Sequence, residues 1–298
     1  MDRKVRAICP ADWFHHNTGW PSCVREVRNQ LHTNIGVDFY LNSMIHMLEN
    51  GNYPKRPWVG VLHATPDQHV RTLISESIYM EKCVGIFGLS GYVCDFLKSI
   101  TDKKVSRIHL AVGRPAHPFN PDKFLSNQSP KILMIGHWMR RFESIYQLVA
   151  KGYKKTILMC KAPEAPDYEN FSIKFQKNDQ VYLEKSLAKS DYEKIFEDNL
   201  VFLDLLDSSA NNSVIECMVN RTPLLINRLP ALEEHLGSSY PLFFDSIDEA
   251  SCKINDKNLI LYAHEHMKSI NIDKYLLENF ARYLSESDVY KSLPKVKI

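Results

Sequence analysis

Glycine is scarce in this sequence, with 11 residues in 298, so long glycine-rich loops are not expected. No GxGxxG motif follows the first apolar run, which argues against a nicotinamide-dependent dehydrogenase. The GxSxG and GxxxxGK[ST] motifs are also missing, and with them the usual signatures of α/β-hydrolases and P-loop proteins. No stretch approaches 18 consecutive apolar residues, so the sequence predicts no membrane span.

Excess charge and paired cysteines are lacking as well. The formal net charge is +2, which gives no electrostatic footprint for a nucleic-acid partner. The seven cysteines are odd in number and form no CxxC pair, and they are expected to be reduced, mostly buried thiols. The first residues do not look like a signal sequence, so a cytoplasmic protein is expected. A hydrophobic content of 44% is typical of a globular chain, and the length is sufficient for two domains.

What the sequence does contain is a regular alternation of short apolar runs and short helical segments. Residues 200–244 show it best, as strand, helix, strand, helix, strand, which is the pattern of an open α/β sheet. The predicted segments are Val201–Leu206, Ser213–Met218, Leu224–Asn227, a helix from Pro230 to Gly237, and Tyr240–Phe244. Asn220 is expected to end the first of these helices in a left-handed conformation.

The same pattern extends over the rest of the chain. In the first part the predicted strands are Val5–Cys9, Gly36–Leu41, Trp58–Leu62, Cys83–Phe87 and Val105–Val112. The proline-rich stretch 114–121 indicates a stiff linker, and it divides the chain into predicted domains 1–120 and 121–298. Residues 131–136 open the second domain, and a helical tail includes a predicted helix over 248–266.

One candidate binding site lies at the start of the helix that follows Val201–Leu206. Asn211, Asn212 and Ser213 would present free backbone N–H groups there, which form a ready anion site. Glu216 lies one turn further on, where its carboxylate would accept hydrogen bonds from the ribose of a bound nucleoside diphosphate. Ser213 and Glu216 also have the spacing of a capping box, a purely structural device, and spacing alone favours that explanation.

Three further clusters fall after predicted strands, where ligands bind in α/β sheets. The loop 10–21 contains Gly19 and Trp20, and its aromatic residues would either stack on a sugar or pack on one another. His63 ends the third strand, where it would contact a ligand or simply be satisfied by the backbone. The turn after Gly136 contains a histidine and an arginine pair, either as a phosphate grip or as a solvated basic turn: His137, Arg140 and Arg141.

Residues 200–244 resemble the donor half of GT-B glycosyltransferases, the retaining group that includes sucrose and glycogen synthases. The pattern of that group is a Glu, seven residues, a second Glu, a segment ending in Gly-x-Pro, a strand, and a later Glu. Glu216 matches the second Glu, Thr222-Pro223 matches x-Pro, and Glu233 or Glu234 matches the last. The sequence departs from the pattern at two positions, with Ser208 in place of the first Glu and Arg221 in place of the Gly.

The resemblance implies an α/β protein of GT-B fold, with two Rossmann-like domains facing each other across a cleft. The first domain would bind a glycan or other hydroxyl acceptor, and its Gly19 and His63 would line the cleft. The second domain would bind a nucleoside diphosphate sugar of UDP or GDP type as donor substrate, with no other cofactor. A C-terminal helix would pack back on the first domain.

The resemblance also assigns roles to residues of the donor domain. His137 and Arg140 or Arg141 would face the diphosphate, and Tyr182 to Leu187 would frame the base. Ser208 would stand where a donor-site Glu is usual, and with His63 it is a candidate catalytic residue. The chain has no Asp-x-Asp pair, the motif that holds the cation in metal-dependent sugar transferases, so metal-independent transfer is expected. Two other hypotheses remain: a nucleotide-sugar epimerase or hydrolase of the same fold, and a non-catalytic sugar-nucleotide-binding protein.

Overall fold

The computed structural model describes residues 6–8, 20–31, 37–41, 44–50, 54–159, 181–184 and 187–293. The chain forms two compact units that are not two continuous halves of the sequence. Unit 1 contains residues 1–114, 208–215 and 272–298, and unit 2 contains residues 115–207 and 216–271.

Unit 1 is built on a parallel sheet whose described strands follow one another in chain order. The strands are β1 (Arg6–Ile8), β2 (Asp38–Tyr40), β3 (Trp58–Leu62), β4 (Cys83–Gly88) and β5 (Val105–Arg107), and their order in the sheet is β1-β2-β3-β4-β5. Every residue of β3 is buried, as expected of an apolar run in a parallel sheet. The direction of strand addition never reverses among these strands, so they form no topological switch point.

Helices connect the strands of unit 1, and residues 272–298, which follow unit 2 in the sequence, add further helices to it. They are α1 (Trp20–Gln30), α2 (Met44–Asn50), α3 (Gln68–Glu76) and α4 (Gly91–Ile100), with a 3-10 helix at Ile78–Lys82. Ser90 caps α4 by accepting the N–H of Val93, which fixes the chain reversal after β4. The last helices of the chain belong to the same unit.

The described part of unit 2 forms a six-stranded parallel sheet with a reversal in the middle. Its strands are β6 (Lys131–Ile135), β7 (Lys154–Leu158), β8 (Val181–Glu184), β9 (Leu200–Leu203), β10 (Leu224–Asn227) and β11 (Phe243–Phe244). Their order is β11-β10-β9-β6-β7-β8, so the first strand of the unit lies beside the fourth. This is the strand order of the Rossmann fold, and it creates a switch point between β6 and β9.

The described helices of unit 2 and of the C-terminal part complete the element list. They are α5 (Pro121–Ser126), α6 (Glu143–Gln147), α7 (Lys189–Lys194), α8 (Asn212–Asn220), α9 (Pro230–Leu236), α10 (Ile247–Ile254), α11 (Lys257–Ser269), a 3-10 helix at Asp273–Tyr275, α12 (Leu277–Glu286) and α13 (Asp288–Lys291). None of the helices in the described part of the chain is long and apolar enough to cross a membrane.

Three local predictions from the sequence are wrong. The strand predicted over 105–112 ends at Arg107, because Val112 exchanges backbone hydrogen bonds with Tyr275 and Leu277 instead. The helix predicted over 248–266 is two helices, because Asp256 caps a new one and accepts the N–H groups of Asn258 and Leu259.

The prediction of mostly buried cysteines agrees with the described residues. Cys252 is exposed, and the other four described cysteines are buried: Cys23, Cys83, Cys94 and Cys217.

The third error concerns the end of α8. Asn220 is the last helical residue, and the left-handed conformation falls on Arg221, with φ of 62°. The Arg221 guanidinium donates to the carbonyls of Met267 and Ile270, and its own carbonyl accepts from His264. These contacts offset the strain of a non-glycine residue in this region.

Candidate functional site

The carboxyl edge of the unit 2 sheet is the natural place for a ligand, because its strand order reverses there. β6 and β9 are neighbours, with Ile132 opposite Leu200 and Leu133 opposite Val201. The chain continues outward from both strands in opposite directions, and the loops that follow them separate at this point. Open α/β sheets bind ligands in the crevice that results. The residues to consider are therefore 136–141 after β6 and 204–207 after β9.

The turn after β6 is held in one conformation by Arg140. Gly136 and Met139 both have positive φ, of 82° and 59°. The Arg140 side chain folds back, donating from Nε to the Ile135 carbonyl at 2.9 Å and from Nη1 to the Trp138 carbonyl. The turn thus uses part of the Arg140 guanidinium as an internal brace. The predicted contact of Arg140 with a diphosphate would have to use guanidinium N–H groups other than these two.

Arg141 neutralises a buried carboxylate at the end of β9. Its Nη1 donates to Asp204 Oδ1 at 2.7 Å and to the Leu205 carbonyl at 2.9 Å. The Ser144 hydroxyl donates to the other Asp204 oxygen, and the Asp204 residue is 7% exposed. A buried carboxylate needs such partners. The Arg141 side chain is 44% exposed, so it combines this structural contact with access to solvent.

The end of β10 is tied to the same edge. Asn227 accepts the N–H of Leu205 at 2.8 Å through its side-chain oxygen and donates its amide to the Leu205 carbonyl at 2.9 Å. The N–H of Leu206 donates to the Met139 carbonyl at 2.9 Å. Backbone groups beyond the strand ends would otherwise lack partners. The edge where a ligand is expected is therefore a rigid, hydrogen-bonded frame.

The helix α8 begins after β9 and is capped by Asn211. The Asn211 side-chain oxygen accepts the N–H of Ser213 at 3.0 Å, and its carbonyl accepts the N–H of Ile215. Ser213 lies inside the helix and not at the cap position. The capping-box explanation for Ser213 and Glu216 is therefore wrong, because that motif requires the serine at the cap position just before the helix.

Glu216 has a partner that the capping box does not provide. Its Oε2 accepts a hydrogen bond of 2.6 Å from the Tyr192 hydroxyl on α7. Glu216 is 4% exposed, and its neighbours in α8 are apolar and buried. A carboxylate in such surroundings needs hydrogen-bond partners, and Tyr192 supplies one. The contact fixes one oxygen and thereby the plane of the carboxylate.

Unit 1 contains a second cluster, around His63. The His63 Nε2 lies 2.6 Å from the Leu41 carbonyl, which can only accept, so Nε2 carries the proton and Nδ1 is the acceptor of the ring. Desolvation by burial lowers the pKa of His63 to about 4, although the bond to Leu41 acts in the opposite direction. The Ser209 hydroxyl donates to the His63 carbonyl. His63 is thus a neutral hydrogen-bonding group, unsuited to act as a general base near pH 7.

Several solved structures resemble this chain. TarM of S. aureus has 16% identity and a TM-score of 0.59, and the match covers 91% of this chain and 58% of TarM. The trehalose-6-phosphate synthase OtsA has 10% identity and a TM-score of 0.62, with 92% and 76% covered. HepE of Anabaena, in complex with UDP-glucose, has 9% identity and a TM-score of 0.64, with 84% and 78% covered.

The chain has the GT-B fold. It spans little more than half the length of TarM. No protein-family model matches the chain, and no curated protein matches it in sequence. The α/β and GT-B predictions made from the sequence are confirmed.

The predicted site residues of this GT-B chain fall into separate groups. His137 follows Gly136 and is half-buried, and Ser208 is 4% exposed. Asn212 is the first residue of α8. Gly19 lies outside the described residues. The roles given to these four residues stay predictions.

Trp20 and Tyr182 are placed less favourably than expected. Trp20 is the first residue of α1 and is 7% exposed, with its ring against His63 and Phe280. A ring covered in this way has little surface for a sugar, which argues against the predicted stacking role. Tyr182 lies on β8, the outermost of the described strands on that side of the sheet, and the Lys154 amine lies 3.9 Å from the centre of its ring. This cation–π contact competes with a base for that ring.

Two residues that support the site were missed from the sequence. Asn227 ends a strand at the ligand edge, so the rule that favours polar residues at strand ends in α/β sheets would have found it. Tyr192 gave no such signal, because it lies on a different helix, 24 residues before its partner Glu216. Among the described residues, no group of three or more His, Cys, Asp and Glu is arranged to hold a metal ion.

Proposed function

We propose that the protein is a glycosyltransferase that moves a sugar from a nucleoside diphosphate sugar to a glycan or other hydroxyl acceptor. The observation that carries this proposal is Glu216, a buried carboxylate one turn inside α8, with one oxygen fixed by Tyr192. The capping-box alternative for this residue fails on geometry. A ribose offers two adjacent hydroxyl donors, and a fixed carboxylate is the group that accepts from both.

The diphosphate of the donor needs positive partial charge. The turn 136–141 supplies guanidinium groups of fixed position, with Arg141 the more exposed of the two. These groups would offset the charge of the leaving diphosphate, which is the main electrostatic demand of the reaction. Transfer by this route needs no divalent cation.

The base and sugar follow from the structural neighbours only by analogy. HepE is in complex with UDP-glucose. A further structure that resembles this chain, described as trehalose-6-phosphate from E. coli, is bound with UDP-2-fluoro glucose. These ligands support a UDP-sugar as the first donor to test, and a GDP-sugar as the second. We assign donor binding to residues 121–298 and acceptor binding to residues 1–120.

Ser208 favours one alternative. It is small and buried, and it stands where the related transferases carry a Glu that helps to hold the donor sugar. A chain without that Glu would bind nucleotide through Glu216 and transfer the sugar slowly, hydrolyse or epimerise the donor, or only bind it. Phosphorus and proton NMR of UDP-glucose and GDP-mannose, with and without oligosaccharide acceptors, separates these outcomes.

The binding half of the proposal has its own experiment. Calorimetry with UDP and GDP should show binding to the native protein and a loss of affinity in Glu216→Gln. Glu265→Gln, an exposed helical Glu in unit 2, is the matched control and should bind normally. Equal binding by the native protein and Glu216→Gln would remove the main support of the proposal.

A further inference from the structure

The Arg141 guanidinium is fixed along one of its edges. Its Nη1 uses both N–H groups, one donating to Asp204 Oδ1 at 2.7 Å and the other to the Leu205 carbonyl at 2.9 Å. The backbone N–H of Arg141 also donates to the Asp204 carbonyl, at 2.8 Å. Because a guanidinium is planar, these contacts determine the direction of its other edge, which is formed by Nε and Nη2.

The edge formed by Nε and Nη2 has the shape of a phosphate-binding group. Among the residues that the structure describes, none accepts a hydrogen bond from Arg141 Nε or Nη2, and the side chain is 44% exposed. Two parallel N–H groups of this kind match two oxygens of a phosphate. Arg141 lies in the loop after β6, at the switch point of the unit 2 sheet, where ligands of open α/β sheets bind. This edge of the guanidinium is therefore available to an anionic ligand.

Asp204, which fixes the guanidinium, is itself held from two sides. Its side chain is 10% exposed, and its second oxygen accepts from the Ser144 hydroxyl. The Ser144 N–H donates in turn to the Arg141 carbonyl at 3.3 Å, which closes a ring of contacts among the three residues. The cost of removing two charges from water can exceed their attraction, so a buried ion pair is weak evidence of a stabilising role. Its effect on the direction of Arg141 is the better explanation of this arrangement.

We propose that Asp204 is a positioning residue, which together with Ser144 directs the Nε and Nη2 edge of Arg141 at the phosphates of a bound nucleotide. The inference rests on the proposed function, since it takes nucleotide binding at this sheet edge as given and adds the group that orients the arginine. Asp204 acts through Arg141 and not on the ligand, because its two oxygens already accept from Arg141 and Ser144. The competing explanation is that Arg141 is only the counter-ion of Asp204.

The test uses substitutions that preserve the shape of the ion pair. Asp204→Asn keeps the volume and one acceptor oxygen without the charge, and Ser144→Ala releases the second Asp204 oxygen with little change of volume. Arg141→Lys keeps the charge without the planar fork. Glu197→Gln is the matched control, because it breaks an ion pair with Lys123 at the opposite end of the same strand, before β9 begins at Leu200.

The dissociation constants of uridine, UMP and UDP, and of the corresponding guanine ligands, are measured by calorimetry, or by NMR titration where binding is weak. We expect Asp204→Asn and Ser144→Ala to weaken the phosphorylated ligands by about 3- to 10-fold, because reorienting the guanidinium uses part of the binding free energy. The affinity for the nucleosides should stay at the native value. Arg141→Lys should lose about 10-fold or more, since an ammonium group cannot grip two oxygens in parallel.

The double variant of Asp204→Asn and Arg141→Lys tests whether Asp204 acts through Arg141. It should bind the phosphorylated ligands no more weakly than Arg141→Lys alone. Glu197→Gln should bind every ligand with native affinity, and urea unfolding of each variant shows whether a loss of stability accompanies the loss of affinity.

Other results overturn the inference. Native affinity for UDP and GDP in both Asp204→Asn and Ser144→Ala would mean that Arg141 needs no positioning. Losses of equal size for nucleosides and nucleotides would mean that the substitutions distort the whole sheet edge, and losses that add in the double variant would mean that Asp204 acts elsewhere. These results leave the proposed function standing. A native protein that binds none of the nucleotides would instead refute the proposed function, and this inference with it.

Discussion

Replacing Tyr192 by Phe removes a single hydroxyl group and isolates the carboxylate of Glu216. The hydrogen bond measures 2.6 Å, and the carboxylate belongs to a residue that is 4% exposed. Hydrogen bonds to charged groups contribute about 1.5–3 kcal/mol, and losing a buried partner adds a desolvation penalty to the group left behind. We expect Tyr192→Phe to lower the free energy of unfolding of unit 2 by about 1.5–3 kcal/mol.

The same change should weaken nucleotide binding although Tyr192 need not touch the nucleotide. Without the hydroxyl, the Glu216 carboxylate rotates, and part of the binding free energy is used to restore its orientation. A loss of about 3- to 10-fold in affinity for the preferred nucleoside diphosphate is expected. Glu216→Gln should lose more, because charge-assisted hydrogen bonds are roughly twice as strong as neutral ones.

A double-mutant cycle tests whether Tyr192 affects nucleotide binding only through Glu216. Tyr192→Phe, Glu216→Gln and the double variant are compared in calorimetry and in urea unfolding. If Tyr192 acts only through Glu216, the double variant binds nucleotide no more weakly than Glu216→Gln alone. Losses that simply add would show that Tyr192 contacts the nucleotide or acts elsewhere. Native affinity in Tyr192→Phe, beside a clear loss in Glu216→Gln, would refute the orienting role.

Three further outcomes are expected. Sugar transfer should persist in excess chelator, and activity that is lost there and restored by manganese or magnesium would contradict the metal-free mechanism. Acidification should destabilise the fold through His63, because its pKa of about 4 in the folded protein lies below the ordinary 6.5. The contribution of neutral His63 to the free energy of unfolding is complete above pH 6.5 and is lost as the pH falls towards 4. Urea unfolding at pH 7 and pH 5 should show about 1–2 kcal/mol more loss in the native protein than in His63→Gln. Asn211→Ala should reduce the free energy of unfolding by about 1 kcal/mol, as for other helix caps, and no change would mean that the Ser213 N–H finds another acceptor.

The fold was predictable because each buried strand is an uninterrupted apolar run bounded by turn residues. Phe202 and Leu225 are typical, since both lie in runs that are buried on both faces. The order of the strands was not predictable to the same degree. The reversal between β6 and β9 and the unreversed order of unit 1 are decided by tertiary packing, which no local pattern of apolar residues encodes.

The candidate site was predictable in position and less so in detail. Strand ends point to residues 136–141 and to the start of α8, because backbone and loops meet there in every open α/β sheet. The hydrogen-bond partners of individual side chains could not be predicted from the sequence. Arg141 pairs with Asp204, 63 residues away, and Glu216 pairs with Tyr192 on a separate helix. Long-range hydrogen bonds of this kind leave no periodic signal.

The discontinuous composition of unit 1 has a consequence for synthesis of the protein. Val112 exchanges backbone hydrogen bonds with Tyr275 and Leu277, and Ser106 accepts the N–H of Val289. Domains generally fold as units while the chain emerges from the ribosome. Unit 2, which is complete by residue 271, is available before the final helices of unit 1 have been made. The early strands of unit 1 must therefore wait for the last part of the chain, and truncation there would expose their apolar surface to chaperones and proteases.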